Sequence, residues 1–519
     1  MIPFRTTALG VLSLAALAGC QDLDVVNTNQ PDADRALANP SDVESLVVSA
    51  WNPYWSRTHT SASSVNAMPV VADEMTATYA NNSALELSSE PRIALNNNPT
   101  ATASGIPRFQ WDDWYLALSN ANDGLRAIAD GLVIIDDSGD DRTHATRVWA
   151  KHMQGVALGY VGLIFDQGYI VKEDTDLGAL ELRPYTEVVE AAVASLEEAV
   201  QLAQSGADFT LAGDVLNGVP VTRDLIVQLS NAYIARFMVL AARTPEEREL
   251  VDWSKVLQVT AAGIVEDHVT LQEDGIREST LYFRAANDGS FQQRADYKHI
   301  GWADVSGAFQ EWLNTPIPDR EKFLITTPDR RITGETPESD GKYFEHLTVE
   351  RFRPERGTYH FSWYQWNIGQ TPDVGDRFWE NGPAVLYHLE EQNLYRAEAM
   401  LRTGNAAGAA EIINQTRVAN GELPPVTAAG VPQSDDCVPR RADGSCGDLE
   451  WALYYERMIE LTGTDALRAW MDKRGFGQLT EGTFVHMPIP GRELANTNLA
   501  IYTFGGVGGI GAASGGEAG

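Results

Sequence analysis

The chain has 519 residues, a formal net charge of −33 at pH 7, and 44% hydrophobic and 9% aromatic residues. An acidic excess of this size repels phosphate backbones and anionic headgroups and excludes nucleic acid as a partner. The apolar fraction is enough to bury a sizeable core rather than leave the chain disordered. A length near 500 would accommodate about three ordinary domains, yet no linker rich in Pro, Gly or Ser interrupts the interior.

Residues 1–19 read as a signal peptide: one basic residue at Arg5, an apolar run from Ala8 to Leu17, then Leu17-Ala18-Gly19-Cys20. The run falls short of the about 20 residues a membrane span needs. The cysteine stands directly after two small residues, where a lipid-transferring enzyme needs a thiol, so Cys20 is the expected lipidation site and new N-terminus. Several acyl chains there would hold the protein durably on a membrane. Residues 20–40 are a polar spacer. The folded body is expected over 41–504, starting with a capping box at Ser41 and Glu44 after Pro40. Val43, Leu46, Val47 and Trp51 share one face of that first helix.

Amphipathic helices are predicted from Trp111 to Leu132, Ala145 to Phe165, Tyr185 to Ala203, Arg223 to Ala242, Trp253 to Val265, Ala384 to Arg402 and Ala406 to Val418. The last two are joined by Thr403-Gly404-Asn405, with small residues at Ala397, Ala409 and Ala410 for a close crossing. They form a helical hairpin of tetratricopeptide type, as do the preceding two pairs, although no strict 34-residue period survives. The predicted class is therefore mainly α, with an irregular insert of loops and short strands over about 271–382. Gly, Pro, Thr and aromatic residues crowd that insert. Cys437 and Cys446, with eight residues between them, are expected to pair in an oxidising compartment. The glycine-rich end, 505–519, reads as a flexible tail.

Two aromatic groups are candidate ligand platforms, since flat C–H faces of sugars stack on aromatic rings. In the insert, an extended backbone would put Tyr359, Phe361 and Trp363 on one side and Tyr364 and Trp366 on the other, with Gln365 and Asn367 as hydroxyl partners. At most one side can face a ligand, and the other is core. The second group is Trp114 with Asn120 and Asn122, off the helical face that Trp111, Tyr115 and Leu118 share. Trp302 and Trp312 are weaker candidates. Asp112-Asp113 invites a glycosidase reading, but neighbouring helical residues point about 100° apart and cannot flank one bond. No nucleophile elbow, zinc-protease helix or phosphate loop is present. Asp136 to Asp141 could hold calcium but fails the EF-hand spacing and reads as an acidic turn; no metal or other cofactor is expected.

The lipobox, the NPYW at Asn52, the WDDWYLALSNANDGL at Trp111, the AKHMQGVALGYVGLIFDQGYI at Ala150, the helix pair from Tyr395, and YYERMIELTGTDALRAWMDKRGFG with HMPIPGRELANTN near the end form one succession. Taken together they resemble the SusD/RagB family of outer-membrane nutrient-binding lipoproteins. The resemblance spans nearly the whole chain in order. One element departs from it: where the family has Glu-Gly-any-Arg, this chain has Thr462-Gly463-Thr464-Asp465, without the acid and the arginine. The resemblance implies a cell-surface, non-enzymatic protein that binds glycans and passes them to a SusC-type TonB-dependent transporter. An oligopeptide-binding member, a tetratricopeptide scaffold without small ligand, and a secreted glycoside hydrolase are the alternatives.

Overall fold

The computed structural model describes residues 37–60, 62–77, 83–211, 215–216, 218–272, 293–348, 362–366 and 382–516. Cys20 and Tyr359 therefore lie outside the described residues. The first helix, α1 (Pro40–Ser49), is capped not by Ser41 but by Asn39, whose side chain accepts from the Ser41 amide. Glu44, released from a capping role, pairs with Arg142 at 2.5 Å. Then come α2 (Gly105–Ala129), α3 (Thr143–Ile164), α4 (Tyr185–Ser205), α5 (Arg223–Leu240), α6 (Trp253–Ala261), α7 (Leu389–Arg402), α8 (Ala406–Ala419), α9 (Leu449–Glu460) and α10 (Arg468–Gly475). The predicted pairs α3/α4, α5/α6 and α7/α8 all pack as neighbours, and Ala397, Ala409 and Ala410 are buried where α7 meets α8.

α3 is the axis of the molecule. From Val148 to Ile164 every residue is buried, as expected of a helix enclosed on all sides. Its neighbours come close because glycines line the contact. A Cβ at Gly159 would lie 2.0 Å from the Phe237 ring, and one at Gly155 would lie 2.6 Å from Leu196 Cγ. The enclosed charge of Lys151 is matched by Glu173 at 2.7 Å and Glu198 at 3.0 Å.

Among the described residues the strands form only two-stranded antiparallel sheets. β1 (Met75–Ala77) pairs with β5 (Gln293–Ala295), β2 (Gln167–Tyr169) with β3 (Leu182–Pro184), β4 (His268–Gln272) with β8 (Gly382–Tyr387), and β6 (Phe344–His346) with β7 (Tyr364–Trp366). The β4–β8 pair sets Gln272 opposite Gly382 and so clasps the two ends of the irregular insert. It also corrects one predicted boundary: residues 384–387 are strand, and α7 starts only at Leu389. The apolar run Ala384-Val385-Leu386 has no helical stripe of its own and gains its ladder from β4, a tertiary partner.

The glycine-rich end is a second correction. Residues 505–513 are laid into the body: Gly506 N–H donates to Gly482 O, Val507 N–H to Arg92 O, and Val485 N–H to Gly511 O. Gly505, Gly506, Gly508 and Gly511 all have positive φ, so here glycine serves a tightly turned path against other backbone rather than a loose tail. Cys437 and Cys446 form the expected disulfide, and Cys437 joins a small core beneath α7, α8 and α9.

Candidate functional site

The insert's described part is a layer of aromatic side chains over the helical body. Tyr297 stacks on Phe323 at 4.2 Å and its hydroxyl donates to Phe323 O; Trp312 meets Tyr297 edge-on and carries the Arg320 guanidinium 4.3 Å over its ring. Residues 362–366 run across this layer. The Ser362 hydroxyl donates to Ala295 O, and Leu347 N–H donates to Trp363 O at 2.8 Å.

Trp363 is half-buried. The Lys322 ammonium lies 4.0 Å from its ring centre, and the His346 ring lies 6.4 Å away, tilted 59°. A large indole part-exposed at the rim of a loop layer, beside a cation and an imidazole, can stack on an apolar ring face and donate hydrogen bonds around it. Lys322 and His346 were missed in the sequence because they are distant along the chain and only the β6–β7 pairing and the loop before it bring them to Trp363.

The other residues singled out in the sequence fall differently. Tyr364, Gln365 and Trp366 are all buried. The Tyr364 hydroxyl donates to Pro337 O and accepts from Ile325 N–H, and burial pushes its pKa up to about 12. Gln365 accepts from Arg294 at 2.9 Å. Trp366 packs on Gly463, whose positive φ and missing side chain make room for the indole. On the other side of Gly463, Glu74 accepts from its N–H at 3.0 Å and faces Arg468 at 3.7 Å.

Trp114 is wholly enclosed, stacked on Tyr160 at 4.3 Å with its indole N–H on Gln110. Asn122 is buried, donating to Val171 O and accepting from Gln154, and half-buried Asn120 donates to Ser49. Trp302 and Trp312 are likewise buried. Tyr364, Trp366, Trp114 and Asn122 are therefore core residues in this structure, because segments distant along the chain cover them: loops over Tyr364 and Trp366, helices over Trp114 and Asn122. Among the described residues, Trp363 is the predicted platform aromatic that keeps an open face.

The acidic turn at Asp136 closes on itself: its carboxylate accepts from the Ser138 and Asp140 amides at 2.9 and 3.0 Å. Among the described residues no cluster of His, Cys, Asp or Glu is arranged to hold a metal ion, and no helix is long and apolar enough to cross a membrane.

No family model matches the chain, and no curated protein matches it. Its architecture does have solved counterparts. A SusD superfamily protein from Parabacteroides distasonis is 13% identical, with 89% of this chain and 98% of that one covered at a TM-score of 0.57. A SusD-like carbohydrate-binding protein from Bacteroides fragilis is 14% identical, covering 91% and 94% at a TM-score of 0.54. Surface glycan-binding protein A from Bacteroides uniformis is 12% identical, covering 82% and 86% at a TM-score of 0.50. The chain thus has the SusD-like fold, helical pairs bearing an irregular layer, over nearly its full length.

Proposed function

We propose that this chain is a lipid-anchored carbohydrate-binding protein of the outer-membrane surface, which takes up oligosaccharides at the Trp363 platform and passes them to a SusC-type TonB-dependent transporter. The observation that carries the reading is the half-buried Trp363, flanked by Lys322 and His346, on a fold shared with proteins described as carbohydrate-binding. Binding, without a metal or other cofactor and without catalysis, is its whole task. Cys20 would serve as the tether, joined to the helical body through the polar spacer expected over residues 20–40.

Calorimetric titration of the full chain with neutral oligosaccharides and with peptides, comparing wild type and Trp363→Ala, tests the ligand. Oligosaccharide heats that vanish in the variant are expected; binding of peptides alone would sink the glycan assignment. Cys20→Ala should move the protein from the membrane to the soluble fraction with ligand affinity intact. A soluble variant with lost affinity would make the anchor part of the site.

A further inference from the structure

A second concave surface lies away from the insert's aromatic layer, on other elements. One wall is the start of α2, with Arg108 and Asp112 one turn apart; the other is the segment from Pro490 through the short helix Gly491–Asn496, with Arg492, Glu493 and Asn496. The cleft between them has a volume of about 230 Å³.

The walls are held firmly. The Asn97 carboxamide donates to Ile489 O and Tyr502 O, both at 2.9 Å, and accepts from Gly491 N–H at 2.9 Å. Leu494 is buried and anchors the short helix. On the facing wall, Ile106, Pro107 and Trp111 bury the inner side of α2. Asp113, next to Asp112, is taken up by Arg57 at 2.6 Å, so adjacent acids have separate surroundings.

The polar groups of the cleft are unspent. Among the described residues, the side chains of Arg108, Asp112, Arg492, Glu493 and Asn496 make no hydrogen bond or ion pair, although two cations and two anions share one small cleft. Arg108 Nε is buried without a partner, and its guanidinium rests 4.3 Å over the ring of Phe109, which is 37% exposed. Fixed walls that keep opposite charges apart leave the exposed donors and acceptors of the cleft available to a guest.

We infer that this cleft is a second binding site, separate from the Trp363 platform, for a single neutral polyhydroxylated ring such as one hexose or pentose unit. The lining charges cancel, and the protein's strong negative charge disfavours anions. A hydroxyl both donates and accepts, so vicinal hydroxyls can bridge guanidinium, carboxylate and carboxamide groups without burying new charge. The volume is below the about 300–1,000 Å³ typical of drug-sized ligands, which limits the guest to about one ring.

The test is saturation-transfer NMR on the full chain with the methyl glycosides of glucose, galactose, mannose, xylose and arabinose, and with glycylglycine as a zwitterion of similar size. At least one glycoside should bind, weaken at least ten-fold in Arg492→Ala and in Asn496→Ala, and bind unchanged in Trp363→Ala. Both cleft residues are exposed, and unaltered thermal unfolding of the variants checks that the fold is intact. Binding of glycylglycine but of no glycoside, binding unaffected by either cleft variant, or no binding at all would overturn the inference. An oligosaccharide that still binds through Trp363 while both cleft variants behave as wild type would overturn the cleft alone and leave the proposed function standing.

Discussion

The Lys322 ammonium lies 4.0 Å from the centre of the Trp363 ring, so one face of the candidate platform already has an occupant. A cation–π contact at a partly exposed site contributes about 0.5–1 kcal/mol. An oligosaccharide that stacks on this face must displace the ammonium, and Lys322→Ala should then tighten binding about two- to five-fold, read as quenching of tryptophan fluorescence. Weaker binding in the variant would show instead that the ammonium contacts the ligand.

Two buried arginines, Arg248 at 2.5 Å and Arg457, pair with Glu398 on α7, and Arg457 also pairs with Asp472 on α10 at 2.5 Å. All four side chains are buried. Burial works against the Glu398 carboxylate, but the arginines outweigh it and hold its pKa below the ordinary value. Removing one partner of such a cluster strands the others, at a cost of about 3–5 kcal/mol. Glu398→Gln should lower the urea midpoint accordingly, whereas Lys342→Ala, which removes an exposed pair with Glu422, should change it by less than about 1 kcal/mol. Equal effects would contradict this account.

Acid should destabilise the fold through its buried histidines. Burial holds His152 down to about 3 and His268 to about 4, against 6.5 for a free imidazole. The unfolded chain takes up these protons below pH 6.5 and the folded chain does not, so their contribution is complete above pH 6.5 and is lost as the pH falls towards 4. Between pH 7 and 4.5 each is worth on the order of 2–3 kcal/mol. His152→Gln, which can still hydrogen-bond to Ser230 as His152 does at 2.9 Å, should flatten the dependence of the thermal midpoint on pH. An unchanged slope would remove His152 from the explanation.

The C-terminal segment should behave as part of the body. Deleting 505–519 breaks backbone bonds to Arg92, Gly482, Thr483 and Val485, each worth about 0.5–1.5 kcal/mol net. A loss of a few kcal/mol in chemical denaturation is expected, together with slow amide exchange at Gly506 and Ala513 in the intact protein. A truncated chain as stable as the full one would restore the picture of a free tail.

The sequence by itself determined the helical class, the three helix pairs and the disulfide. These are local properties: periodic apolar positions, small residues at crossings, and a short cysteine spacing. Only the tertiary structure decided which aromatics are core. Trp114 and Trp363 are alike as residues, but one lies against Tyr160 beside the central helix and the other at the rim of a loop layer. Spacing along one segment cannot say what other segments place over it. For the same reason the clasp of β4 with β8, the docking of the glycine-rich end, and the cleft between Arg108 and Arg492 were invisible along the chain. Each depends on contacts between residues more than about 20 positions apart, beyond the reach of local periodicity.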